Sequence, residues 1–289
     1  MHVSFDSSLK TESKEYIECI KANNPKYLRS MPNDCSPKEF ISFLKNIYSK
    51  NNLAKLTPRK NKTIPKIIHQ LWLGKRPLPD EYKNFQETWK IKHPTWKYIL
   101  WTEKLLLSEF QNGLFNQDSF NKAQQDNNFA KMSDIARYEV LYKFGGLYTD
   151  CDCECFKPFD ILNQTYDFYA GLEHLCNGLV VGNAIMSAKP KHPIIKQCMV
   201  NIKEYDHKKI DFKYWTGYTG YTGKFEEEFA TTLITTGPIL LTKSIWETAD
   251  KNENKDIIFP PTYFFPFAEY MDFLIKPETF SCHYFKGIW

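Results

Sequence analysis

Apolar residues recur at two spacings along the chain, and each spacing predicts a different kind of element. A helical pattern runs from Ser8 to Ala22, and a second follows Ser36-Pro37, a capping serine with proline at the first helical position. In that second helix Phe40, Phe43, Leu44 and Ile47 share one face and predict a buried stripe. Lys55 to Lys62 is polar and basic, the composition of a linker. From Ile64 to Leu73 the residues are mostly β-branched or apolar, which predicts a strand ended by Gly74. Asp80 to Lys92 carries Tyr82, Phe85 and Trp89 at helical spacing. Tyr98 to Trp101 is a short apolar strand, after which Thr102 caps a helix through Phe110. Strand and helix alternating twice predict a mostly parallel sheet with helices on its faces. Shorter strands and turns follow from residue 166, and the tandem Thr-Gly-Tyr stretch over 216–223 reads as a loop.

Composition narrows the classes. The 289 residues include 46 aromatics, and 38 basic against 34 acidic side chains leave a net charge of only +4. That balance argues against nucleic acid as a main partner. No run of 18 apolar residues predicts a membrane span, and the first residues lack the apolar core of a secretory signal. Eight cysteines in a chain of this length are expected to stay reduced, in the cytoplasm. Residues 1–62 form an expected helical extension and linker, and 63–289 the main domain. Residues 1–60 hold 11 Lys/Arg against 6 Asp/Glu, enough for a peripheral contact with an anionic membrane, although a solvated helical cap is the plainer account.

The chemistry concentrates in Phe129 to Asp160. Met132, Ile135, Ala136, Val140 and Phe144 form one helical stripe, Gly145-Gly146 stops the helix, and Leu147-Tyr148-Thr149 enters a strand. A strand that follows a helix across a tight turn ends where the helix began. Asp134 and Arg137, one helical turn apart, are therefore expected beside Asp150 and Asp152. Alternation along the strand would add Glu154 to that side and turn Cys151, Cys153 and Cys155 to the other. This is the carboxyl edge of the sheet, where open α/β folds bind ligands. Neighbouring carboxylates repel one another and call for a cation, and hard oxygen donors suit Mg²⁺ or Mn²⁺. The cysteine triplet could hold a thiophilic metal, but paired Cys-x-x-Cys knuckles are absent, and small buried apolar groups explain it better.

Ser133-Asp134-x-x-Arg137, Gly145-Gly146-x-Tyr148-x-Asp150-x-Asp152 and Ile64-Pro65-Lys66-Ile67-Ile68-His69-Gln70-x-Trp72 resemble glycosyltransferase family 32, the mannosyltransferase-like DXD enzymes related to glucosylating toxins. The resemblance implies an α/β fold of the GT-A, Rossmann-like type, a mixed but mostly parallel sheet flanked by helices. It implies a hexosyltransferase that retains anomeric configuration and uses Mn²⁺ or Mg²⁺. A nucleoside diphosphate sugar, a UDP-hexose or GDP-mannose, would be the donor, and a glycan or protein hydroxyl the acceptor. By the same resemblance Asp150 lies near ribose and sugar, and Asp152 binds metal and diphosphate. Asp134 and Arg137 bond the sugar's hydroxyls, Ser133 belongs to the donor nucleotide-sugar site, and Asn183 lies near the transferred sugar, with a turn asparagine as the alternative. Leu71 and Trp72 meet the nucleobase, with a core role as the alternative for Trp72; Trp101, in a more apolar run, is a core residue. Family chains often close on His followed by Ser-Trp over the diphosphate. Here His283 is then a metal ligand, Lys286 a phosphate partner and Trp289 a cover, and Ile288 stands where serine is usual. His93 and His192, each before a proline, read as loop residues.

With no strong nucleophile in view, front-face attack by the acceptor is the expected route, and Glu173 is a weaker candidate base. A nucleotide-sugar hydrolase or a non-catalytic carbohydrate-binding protein remain the alternatives. A viral enzyme, or one delivered into a host cell, would fit a chain without an anchor.

Overall fold

The computed structural model describes residues 3–5, 35–52, 64–175, 178–204, 224–249, 251, 253–266 and 275–287. The Ser8–Ala22 helix, the Lys55–Lys62 linker, the 216–223 loop and Trp289 lie outside them.

Six strands make the main sheet in the order β2-β1-β3-β6-β5-β7. They are β1 (Ile67–Leu71), β2 (Lys97–Trp101), β3 (Gly146–Thr149), β5 (Phe168–Leu175), β6 (Gly178–Ala188) and β7 (Asp256–Phe259). β1 runs parallel to β2 and β3, β5 runs parallel to β7, and β6 lies antiparallel between β3 and β5. The sheet is thus mixed, with parallel pairing in the majority. A separate ribbon pairs β4 (Cys153–Cys155) with β8 (Ser281–His283) in antiparallel register.

Helix α1 (Pro37–Asn51) begins at a capping box in which Ser36 and Glu39 bond reciprocally. Its stripe is buried at Phe40, Leu44 and Ile47, and Phe43 packs edge-on against Trp246. Asn51 donates to the carbonyl of Asp256 on β7 at 2.8 Å, so α1 shares the core of the sheet. Helix α2 occupies Asp80–Lys92 and α3 Glu103–Glu109, the latter capped by the Thr102 hydroxyl. α4 (Gln117–Gln125) leads into α5 (Phe129–Phe144), and α6 (Asp160–Thr165) follows β4. α7 (Pro193–Glu204), α8 (Lys224–Thr235) and α9 (Pro238–Thr248) complete the helical layers.

The turn from α5 into β3 fixes the site. Gly145 and Gly146 have φ of 62° and 106°, a region that side chains disfavour. A Cβ on Gly146 would lie 2.7 Å from the Ile67 carbonyl, so glycine lets β3 close onto β1. His69 holds the same corner: its Nε2 lies 2.8 Å from the Gly145 carbonyl, and Trp101 donates to its Nδ1 at 3.0 Å. Burial pushes His69 down to about 4, so the ring is neutral and its Nε2 carries the proton. Trp101 is buried and stacks on Phe144, the core role expected of it. His93 and His192 do sit outside helices and strands, but both are buried and bonded. His93 accepts from the Phe159 N–H at 2.9 Å, and His192 lies 3.0 Å from Asp256.

Candidate active site

The end of β3 and the first turns of α5 meet at one edge of the sheet. Arg137 is 1% exposed and lies between two carboxylates, 3.2 Å from Asp134 Oδ1 and 3.2 Å from Asp150 Oδ1. It also donates to the Asn183 carbonyl at 2.7 Å, while Asn183 Nδ2 donates to Asp134 Oδ1 at 2.9 Å. Thr236 donates to the other Asp134 oxygen at 3.0 Å, and Tyr148 donates to Asp150 at 2.5 Å. The Tyr148 ring lies 4.5 Å from the guanidinium carbon. Helix, strand and the bulged β6 therefore converge on one buried network in which each charge is paired and hydrogen-bonded.

Burial pushes the Asp134 carboxyl up to about 6 even though Arg137 pulls it back. Asp150 is also raised by burial, against the pull of Arg137 and His283. Asp152 behaves oppositely: burial opposes its charge, but His283 and the Lys286 backbone N–H hold it below the usual range. His283 Nε2 lies 3.2 Å from Asp152 Oδ1 and 4.0 Å from Asp150 Oδ2. Burial alone would lower His283, but Asp152, Asp150 and Glu173 together lift it to about 9. Its Nδ1 is buried without a hydrogen-bond partner.

A cleft beside these groups is lined by Leu71, Trp72, Tyr82, Asp150, Cys151, Asp152 and Gly287. Trp72 is half-buried, meets Tyr82 edge-on at 5.8 Å and donates its indole N–H to the Arg76 carbonyl at 2.7 Å. Ser133 is buried one position before Asp134, and its carbonyl accepts from Arg137 Nε at 3.3 Å. Lys286 caps Asp152 with its backbone N–H at 2.9 Å, while its ammonium pairs with Glu81 at 3.0 Å.

Alternation along a continuous strand from Leu147 through Cys155 is not what forms. β3 ends at Thr149, and Asp150 to Asp152 make a turn before β4 joins the separate ribbon. Glu154 consequently leaves the acidic group and accepts from the Tyr284 hydroxyl at 2.6 Å. Nor do all three thiols face away: Cys153 lies beside Asp152 and His283, with one ligand atom of each residue within 4.8 Å of the others. Thr236 and Tyr82 are the neighbours that sequence reasoning missed. Gly237-Pro238, a helix start, was the signal that Thr236 sits at an element end.

Residues 79–169 match the family described as "Glycosyltransferase sugar-binding region containing DXD motif". That region spans Asp134, Arg137, Asp150 and Asp152. "Inositol phosphoceramide mannosyltransferase 1" of Schizosaccharomyces pombe is 31% identical over 164 residues, 56% of this chain and 48% of that protein. "Inositol phosphoceramide mannosyltransferase 2" of the same yeast is 27% identical over 238 residues, 80% of this chain and 59% of that protein. The chain thus spans about half the length of these curated relatives. The solved "PaToxG Glycosyltransferase" aligns at a TM-score of 0.49 and 17% identity, over 77% of this chain and 79% of that one. No helix among the described residues is long and apolar enough to cross a membrane.

Proposed function

We propose that the chain is a metal-dependent retaining glycosyltransferase of family 32 type, moving a hexose from a nucleoside diphosphate sugar to a hydroxyl of a glycan or protein. The observation that carries this reading is the buried Asp134–Arg137–Asp150–Asn183 network beside the Asp152–His283 pair, at the rim of the Trp72 cleft. Burying three charges against one another is expensive unless the arrangement does work, and strained or costly polar sites gather where chemistry happens.

The donor set fits a divalent cation. Asp152 and Asp150 offer hard oxygens, and His283 turns its imidazole Nε2 toward both of them. Mn²⁺ or Mg²⁺ held by Asp152 and His283 would supply Lewis-acid stabilisation of the charge that grows on the departing diphosphate. Asp134, Arg137 and Asn183 orient the hexose. Their rotamers are locked by one another, so little ordering entropy remains to be lost when the sugar arrives. Trp72 and Leu71 form the platform for the nucleobase, with the indole plane set by its bond to Arg76. Glu173, buried and raised to about 7 by desolvation, would serve as the weaker candidate base.

The test is a thermal-shift screen of UDP-hexoses and GDP-mannose with Mn²⁺, followed by product analysis with and without acceptor extracts. Stabilisation of several degrees by one donor, and sugar found on an acceptor, are expected. No donor-dependent shift would overturn the reading, and free sugar alone in both arms would replace it with a hydrolase.

A further inference from the structure

Cys153 and His283 are directly opposed in the antiparallel β4–β8 ribbon, which puts both side chains on the same face. Asp152 precedes Cys153, and one ligand atom of each of the three residues lies within 4.8 Å of the others. Three bonds anchor the backbone here. Trp89 Nε1 donates to the Cys153 carbonyl at 2.8 Å, the Cys153 N–H reaches Asp150 at 3.3 Å, and the Tyr284 N–H reaches Asp152 at 3.1 Å. His283 Nε2 faces this group, 3.2 Å from Asp152 Oδ1, so a nitrogen, an oxygen and a sulfur donor are gathered at one point.

We infer that Cys153 joins Asp152 and His283 in a mixed sulfur, nitrogen and oxygen centre that takes Zn²⁺ or Co²⁺, so that a thiophilic ion competes with Mn²⁺ for this site. A tetrahedral zinc centre with bonds of 2.0–2.3 Å separates its ligand atoms by about 3.5 Å. The ligand atoms, within 4.8 Å of one another, would draw together by side-chain rotation with the β4–β8 register unchanged. Binding breaks the Cys153 S–H bond and forms a sulfur–metal bond, and both the thiol proton and the imidazolium proton of His283 pass to solvent. Thiolate donors favour Zn²⁺ and Co²⁺, whereas Mn²⁺ depends on oxygen and imidazole and loses little without sulfur. Water or a donor phosphate oxygen would complete the shell, as in zinc centres with three protein ligands.

This inference rests on Asp152 and His283 being metal ligands, and the experiment separates the two claims. Metal-free protein is titrated with Co²⁺ and followed by absorbance, and Zn²⁺ and Mn²⁺ are titrated by calorimetry. A thiolate-to-cobalt charge-transfer band in the near ultraviolet is expected in the wild type. The band should vanish in Cys153→Ser and persist in Cys151→Ser and Cys282→Ser. Cys153→Ser should weaken Zn²⁺ by about tenfold or more and leave Mn²⁺ within about threefold. If Cys153→Ser does not fold, absence of the band in the wild type still overturns the assignment, as does its loss in Cys151→Ser or Cys282→Ser. Co²⁺ or Mn²⁺ binding without the band overturns the cysteine assignment alone. A band that persists in Cys153→Ser also overturns it, and absence of any metal binding overturns both claims.

Discussion

The guanidinium of Arg137 lies 3.2 Å from Asp150 Oδ1, and the two side chains are only 1% and 8% exposed. Both are largely withdrawn from bulk solvent, so each relies on the other for charge balance. Arg137→Ala should therefore leave Asp134 and Asp150 buried without a counter-charge and lower stability by about 3–5 kcal/mol. Arg137→Lys keeps the charge but not the two-pronged donor geometry and should fall between. Urea unfolding of the three proteins measures the order; equal midpoints for wild type and Arg137→Ala would refute the pairing.

Asp152→Asn keeps the size of the side chain but removes the charge that His283 faces at 3.2 Å. The Mn²⁺-dependent rise in melting temperature should disappear, and donor turnover should drop to about a hundredth or less. The metal-free variant should keep a cooperative unfolding transition, because the capping bond from the Lys286 N–H can reach the amide oxygen. Retention of the Mn²⁺ shift would show that the ion is held elsewhere.

Glu173 and His283 should each contribute a decline in the metal-free protein's stability as pH rises, the first set against the gain that buried His69 gives between about pH 4 and 6.5. Glu173 is raised by burial from 4.5 to about 7, so its contribution is complete below about 4.5 and lost as pH rises through about 7. His283 stands at about 9 against 6.5, because its carboxylate neighbours outweigh burial, so its contribution is complete below about 6.5 and lost through about 9. Difference curves from urea unfolding between pH 4.5 and 9.5 isolate each stage. Glu173→Gln should flatten the first and His283→Gln the second, and a wild-type curve that rises from pH 7 to 9 would contradict the His283 assignment.

Gly182 sits where a side chain has no room. A Cβ there would lie 2.7 Å from a Glu173 carboxylate oxygen and 2.5 Å from Phe265 Cζ. Gly182→Ala should cost about 1–3 kcal/mol through overpacking and displace the Glu173 carboxyl. Part of that loss should be recovered in Gly182→Ala/Glu173→Ala, a coupling that a double-mutant cycle reads directly.

Trp72 is half-buried at the cleft and makes one hydrogen bond through its indole nitrogen. Trp72→Ala should weaken nucleotide binding by about tenfold, since stacking on an aromatic face is worth roughly 1–3 kcal/mol, with a smaller effect on turnover of bound donor. Calorimetry with UDP and GDP tests this, and unchanged affinity for both would assign Trp72 to packing alone.

Local patterns in the chain were enough to define much of this architecture. The periodicity of Tyr82, Phe85 and Trp89 marks a helix found over the same residues, and Gly145-Gly146 marks the turn that brings Asp134 and Arg137 to Asp150. What escaped is non-local. Glu154 and Cys153 were assigned by alternation along a strand that stops at Thr149, because the pairing of β4 with β8 joins segments far apart in the chain. Thr236 reaches Asp134 only through the packing of α8 and α9, which no short-range spacing encodes.

The interlocked carboxylate, amide and guanidinium groups have a bearing on how such a protein diverges. Asp134 is held at once by Arg137, Asn183 and Thr236, so a change in any one of them leaves its carboxylate short of a partner and alters the effect of a change in the others. Leu71 and Trp72 carry no such mutual obligation. Substitutions at the rim should therefore be absorbed one at a time, whereas those in the interior should be felt together.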